Sequence, residues 1–108
     1  MPTDVPNVLP ADVPDLLTQG WRLVDVRTDA EWAEGRIYGS DHIPLDQLIA
    51  RLDEVAEKTI FVCAVGGRSA QATAYVVGQG REAVNLVGGV QAWEGEGRSL
   101  TAPEPVDG

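Results

Sequence analysis

A chain of 108 residues has room for one compact domain and no second substantial core, so its chemistry must reside in one small site. Hydrophobic residues make up 44% and charged residues 23%, the balance of an ordinary soluble globular protein, which excludes disordered and fibrous classes. Seventeen acidic residues against eight basic ones give a net charge of −9, a field that repels phosphate backbones and anionic membranes, so no nucleic-acid or membrane partner is expected.

In chain order, three prolines in residues 1–10 predict a loose arm, with Val8-Leu9 able to pair at a sheet edge. Asp12 is placed to cap a short helix through Leu16 to Thr18, closed by Gly20. Arg22-Leu23-Val24-Asp25-Val26 predicts a strand, and the acids of Asp29-Ala30-Glu31-Trp32 suit a first helical turn. Gly35 and Gly39 bracket a turn region before a brief extended segment at His42-Ile43-Pro44. Leu45, Leu48, Ile49 and Leu52 recur at helical spacing and predict an amphipathic helix. Thr59-Ile60-Phe61-Val62-Cys63 reads as a buried central strand, Ser69 to Gly78 as a helix of small and apolar residues, and Ala83 to Val87 as a last strand. Gly88-Gly89 then leads into a short helix carrying Trp93, and the Gly-, Pro- and acid-rich segment from Gly95 predicts a mobile tail. The expected division is an arm at 1–7, one domain at 8–97 and a flexible tail at 98–108.

Strands alternating with helices imply crossover connections, hence an α/β fold in three layers with a mainly parallel central sheet. No stretch approaches the roughly 20 apolar residues that span a bilayer, and Met1-Pro2-Thr3-Asp4 lacks the regions of a signal peptide, so a cytoplasmic monomer is expected. One cysteine cannot form an intramolecular disulfide, and one histidine leaves too few ligands for a zinc site, so neither metal nor cofactor is expected.

Ligands of parallel sheets bind beyond the carboxyl ends of the strands, and Cys63-Ala64-Val65-Gly66-Gly67-Arg68-Ser69 begins there. Two glycines allow the backbone to aim successive N–H groups inward as an anion nest. The positive end of the next helix and the Arg68 charge add to it, favouring the Cys63 thiolate over the thiol. Cys63 is the expected catalytic nucleophile, and Ala64, Val65, Gly66, Gly67 and Arg68 the expected substrate-binding set. Asp25 with Arg27, and His42, read as structural partners, while Trp32 and Trp93 read as core or near-core packing.

Several short strings occur in an order that resembles the rhodanese family: Leu23-Val24-Asp25-Val26-Arg27, Glu31-Trp32, Glu34-Gly35-Arg36-Ile37, His42-Ile43-Pro44-Leu45, the loop from Cys63 to Arg68, and Asn85-Leu86-Val87-Gly88-Gly89-Val90 with Ala92-Trp93. The resemblance implies five parallel strands, loop amides directed at sulfur and a Cys63 persulfide intermediate. It also implies transfer of sulfur from a donor such as thiosulfate to cyanide, a thiol or an acceptor protein. Arg36 and Tyr38 depart from the histidine and proline frequent in that family, and bear on donor preference. Two other classes share parts of the pattern. A cysteine-dependent phosphatase or arsenate reductase also surrounds a thiolate with amides and an arginine, but resembles this chain with five residues between the two, where four stand here. A rhodanese-like binding or regulatory module would carry out no chemistry, and the intact Cys63 argues against it.

Overall fold

The computed structural model describes residues 5–101. Five strands, β1 (Asn7–Val8), β2 (Arg22–Asp25), β3 (Asp41–His42), β4 (Lys58–Val62) and β5 (Glu82–Leu86), form one sheet in the order β1-β5-β4-β2-β3. Every neighbouring pair is parallel, as crossover connections require. Among the described residues the α-helices are α1 (Val13–Thr18), α2 (Asp29–Glu34), α3 (Gly67–Gly78) and α4 (Gly89–Gly95).

The period-2 alternation of side chains along a strand lets the same strands build two cores, one on each face of the sheet. In β4, Ile60 and Val62 face one side, packed with Val13, Leu23, Leu86 and Val90 beneath α1 and α4. Phe61 and then Cys63 face the other, packed with Val24, Ala72 and Val76 beneath α3. The lone cysteine thus follows the end of the central strand and points toward the α3 layer.

The amphipathic helix expected at 45–52 is replaced by two 3-10 turns, Leu45–Gln47 and Leu52–Glu54. Leu48 is buried and Leu45 and Leu52 pack against the α3 core, so the apolar spacing is satisfied by tight turns, while Ile49 stands 70% exposed. The expected arm also ends earlier than residue 7. The Asn85 N–H donates to Pro6 O at 2.8 Å, and Asn7 pairs in register with Asn85, because β5 would otherwise present unpaired backbone groups. Residues 1–4 of that arm lie outside the described residues. The tail expected at 98–108 is held at its start: Leu100 packs on the α4-side core, and Arg36 and Thr101 exchange backbone hydrogen bonds of 3.0 and 2.7 Å. The remainder, 102–108, lies outside the described residues. None of the described helices is long and apolar enough to cross a membrane.

The connection leaving β2 runs to β3 at one edge, and the one leaving β4 runs to β5 on the opposite side. The carboxyl ends of β2 and β4 therefore flank the switch point of the sheet, where an open α/β fold forms its crevice.

Candidate active site

Loop 63–66 turns from β4 into α3 around the sulfur of Cys63, whose residue is only 1% exposed. Gly66 takes φ +108°, a left-handed conformation that side chains disfavour, and a Cβ there would stand 3.2 Å from Gly88 N. That conformation directs the Gly66 N–H at Cys63 Sγ, at 3.1 Å. Ser69, the third residue of α3, donates its backbone N–H to the same sulfur at 3.3 Å, and its buried hydroxyl oxygen also lies 3.3 Å from Sγ. The sulfur therefore takes the place of a capping side chain for a 12-residue helix, at the positive end of its dipole.

Burial pushes the Cys63 pKa up, but hydrogen bonds from the Ser69 hydroxyl and from the N–H groups of Ser69, Gly66 and Val65 outweigh it. The net shift is downward from the ordinary thiol value, which favours the nucleophilic thiolate. Asn85 Oδ1 lies 2.5 Å from Ser69 Oγ and competes with sulfur for the single hydroxyl hydrogen.

The loop is fixed from the far side by α4. The N–H groups of Val90 and Gln91 donate to the carbonyls of Cys63 and Ala64 at 2.9 and 3.1 Å. This approach needs Gly89: its φ is +59°, and a Cβ would overlap the Cys63 carbonyl oxygen.

Of the expected substrate-binding set, Gly66 donates its N–H to the sulfur, and the neighbouring Val65 N–H contributes to lowering the Cys63 pKa. Ala64 holds the loop through its carbonyl, and Gly67 opens α3. Arg68 is paired with Glu31. Its guanidinium hydrogen bonds go to Glu31, in a bidentate pair of 2.7 and 2.9 Å, so its charge reaches the thiolate already compensated. The pair holds the Glu31 pKa at about 2 and raises that of Arg68. Asp25 and Arg27 form the expected structural pair, buried at 2.8 Å, and Arg27 also donates to Gly35 O at 2.6 Å. His42 accepts its structural place too: Nε2 lies 2.8 Å from Arg27 O, and its ring stacks on Trp32 with centroids 4.6 Å apart. Trp32 is half-buried beneath Arg36, whose guanidinium carbon stands 4.2 Å above its ring, and Trp93 packs against the α4-side core.

Three residues outside the expected set belong to this constellation: Ser69, Glu31 and Asn85. Ser69 follows Arg68 directly, and its place in the first turn of α3 was the available signal. Glu31 was legible as the third helical residue of a capping box, Thr28-Asp29-Ala30-Glu31, in which the Glu31 N–H donates to Thr28 Oγ1 at 3.2 Å. Asn85 reaches Ser69 only through sheet order, which no local pattern announces.

The description "Rhodanese-like domain" matches residues 9–96 of this chain. The chain belongs to the rhodanese family. A sulfurtransferase of Allochromatium vinosum is 39% identical over 97 residues, covering 87% of this rhodanese and 86% of the relative. The thiosulfate sulfurtransferase GlpE of Stutzerimonas stutzeri is 34% identical over 95 residues, covering 84% and 86%. Among solved structures, a rhodanese-related protein of Thermoplasma volcanium superposes with a TM-score of 0.82 at 28% identity, covering 89% of this chain and 97% of that one. These likenesses support a sulfurtransferase of the rhodanese type, with Cys63 following the central strand of the shared fold.

Proposed function

We propose that this rhodanese transfers sulfane sulfur through a persulfide on Cys63. The observation that carries the reading is the convergence of the Gly66 N–H, the Ser69 N–H and the Ser69 hydroxyl on one sulfur atom at 3.1 to 3.3 Å. Donors so arranged stabilise a thiolate before reaction and can follow the negative charge as it moves outward onto a second sulfur.

With thiosulfate as donor, the Cys63 thiolate attacks the outer sulfur. The new S–S bond forms as the bond to the sulfonate sulfur breaks, and sulfite leaves with the bonding electron pair. In the second half, cyanide or a thiolate attacks the terminal sulfur of the persulfide. Thiocyanate or a new persulfide is released, and the Cys63 thiolate returns. Each half conserves charge and requires no outside oxidant or reductant. Cys63 is the chain's only cysteine, so the acceptor comes from outside it, as a small molecule or an acceptor protein.

The test is thiocyanate production from thiosulfate and cyanide by wild type and Cys63→Ala. The expected result is ping-pong turnover in wild type and none in a folded Cys63→Ala protein. Turnover retained by the variant would overturn the assignment of Cys63.

A further inference from the structure

The two members of the Glu31–Arg68 ion pair line two different cavities, one of which is also lined by the cysteine loop. Arg68 lines one of about 580 Å³ with Thr28, Asp29 and Asp46. Glu31 lines another of about 340 Å³ with Ala64 and Val65 of the loop, and Glu34 and Glu94 add two more carboxylates to its wall. Among the described residues, no basic side chain forms an ion pair with Glu34 or Glu94. The arginine in that cavity's lining, Arg27, is held by the buried carboxylate of Asp25 at 2.8 Å.

We propose that Glu31 sets the charge preference of the Cys63 site: by engaging both terminal nitrogens of Arg68, it occupies the guanidinium that an anionic sulfur donor would otherwise bind. The inference rests on the sulfurtransferase reading of Cys63 and adds the class of donor. Bidentate pairing satisfies the face of the guanidinium that best fits a carboxylate or a sulfonate, so a second anion gains little from it. In the cavity lined by loop residues Ala64 and Val65, a dianion such as thiosulfate would also meet the carboxylates of Glu34 and Glu94. It is therefore a weakly bound donor, and a sulfane-sulfur carrier of low net charge, or one bearing an ammonium group, is the better match.

Glu31→Gln isolates this effect from folding. Glutamine keeps a side-chain acceptor at the third helical position, so the capping box with Thr28 is preserved while the charge is lost. Arg68 then carries an uncompensated positive charge in the first turn of α3, the helix whose start faces the sulfur. The experiment is intact-mass titration of Cys63 sulfur loading with thiosulfate at several salt concentrations, for wild type, Glu31→Gln and Glu31→Gln combined with Arg68→Gln. The half-loading concentration should fall roughly fivefold in the single variant, the size expected of one partly exposed charge. It should lose this gain in the double variant, and added salt should erode the gain as well. A merely structural role for Glu31 predicts weaker loading in both variants and no salt-dependent gain. Intact loading with an unchanged or higher half-loading concentration in Glu31→Gln would overturn the assignment of Glu31 alone. Absence of sulfur loading in wild type at every concentration, both from thiosulfate and from an uncharged organic trisulfide, would overturn the sulfurtransferase reading and the inference with it.

Discussion

Ser69 approaches Cys63 twice, with its backbone N–H and its hydroxyl oxygen both 3.3 Å from Sγ, so one residue supplies two of the groups that favour the thiolate. Ser69→Ala keeps the N–H and removes the hydroxyl. The Cys63 pKa then rises toward its ordinary value, and the thiolate fraction at neutral pH falls. Sulfur loading at pH 7 should slow by about fivefold, the size of one hydrogen bond of ~1 kcal/mol, with recovery at higher pH. A pH–rate profile of both proteins checks this. An unchanged profile would show that the hydroxyl hydrogen goes to Asn85 instead.

Gly89 lets α4 close on the loop from behind, because a Cβ there would overlap the carbonyls of Cys63 and Ala64. Gly89→Ala combines a left-handed backbone with direct overlap, and should cost roughly 2–3 kcal/mol, lowering Tm by roughly 10 °C. Gly20→Ala is the control. Gly20 also has positive φ, +94°, but a Cβ there meets nothing within 4 Å, so its cost should stay near ~1 kcal/mol. Calorimetry of the two variants should rank them in that order, and equal losses would show that the overlap relaxes freely.

Much of this site was legible in the chain because its parts are contiguous. Cys63 after a β-prone run, glycines next, and a helix of small residues are local signals, and local backbone geometry is what positions the Gly66 and Ser69 donors. Less legible were contacts set by sheet order. Glu31 meets Arg68 only because β2 and β4 are neighbours in the sheet, and Asn7 pairs with Asn85 only because the N-terminal segment completes the β5 edge. The segment after Pro44 illustrates a different limit. Leu45, Leu48 and Leu52 lie three and four apart, which an α-helix and a pair of 3-10 turns both satisfy, so periodicity alone could not choose between them.

Acid should reveal the Glu31–Arg68 pair. The Glu31 pKa is lowered from 4.5 to about 2 in the folded chain, chiefly by its hydrogen bonds from Arg68. A depressed folded pKa gives stability that is fully present above the unfolded value of 4.5 and is lost as pH falls toward 2. The pair is about a third exposed, so solvent screening reduces its share to about 1 kcal/mol. Urea unfolding should show Glu31→Gln less stable than wild type by about that amount at pH 7, with the difference vanishing near pH 2. A difference independent of pH would contradict the charge-based account.

Loop length should matter to the chemistry. One extra glycine between Gly66 and Gly67 would shift α3 and withdraw the Ser69 donors from the sulfur, so sulfur transfer should fall about tenfold or more, given the sensitivity of positioned groups to displacements near 1 Å. Wild type should show no aryl-phosphate hydrolysis, and the wider ring should add little, since its other contacts are not shaped for phosphate. Hydrolysis of the ester by wild type through Cys63, as efficient as sulfur transfer, would instead support phosphatase chemistry.

The most direct measurement is the intact mass of the protein after incubation with thiosulfate, repeated after cyanide is added. Because Cys63 is the only cysteine, a persulfide there predicts a gain of one sulfur atom in wild type, its reversal by cyanide, and no gain in Cys63→Ala. A wild-type mass that does not change, or an equal gain in Cys63→Ala, would contradict the account.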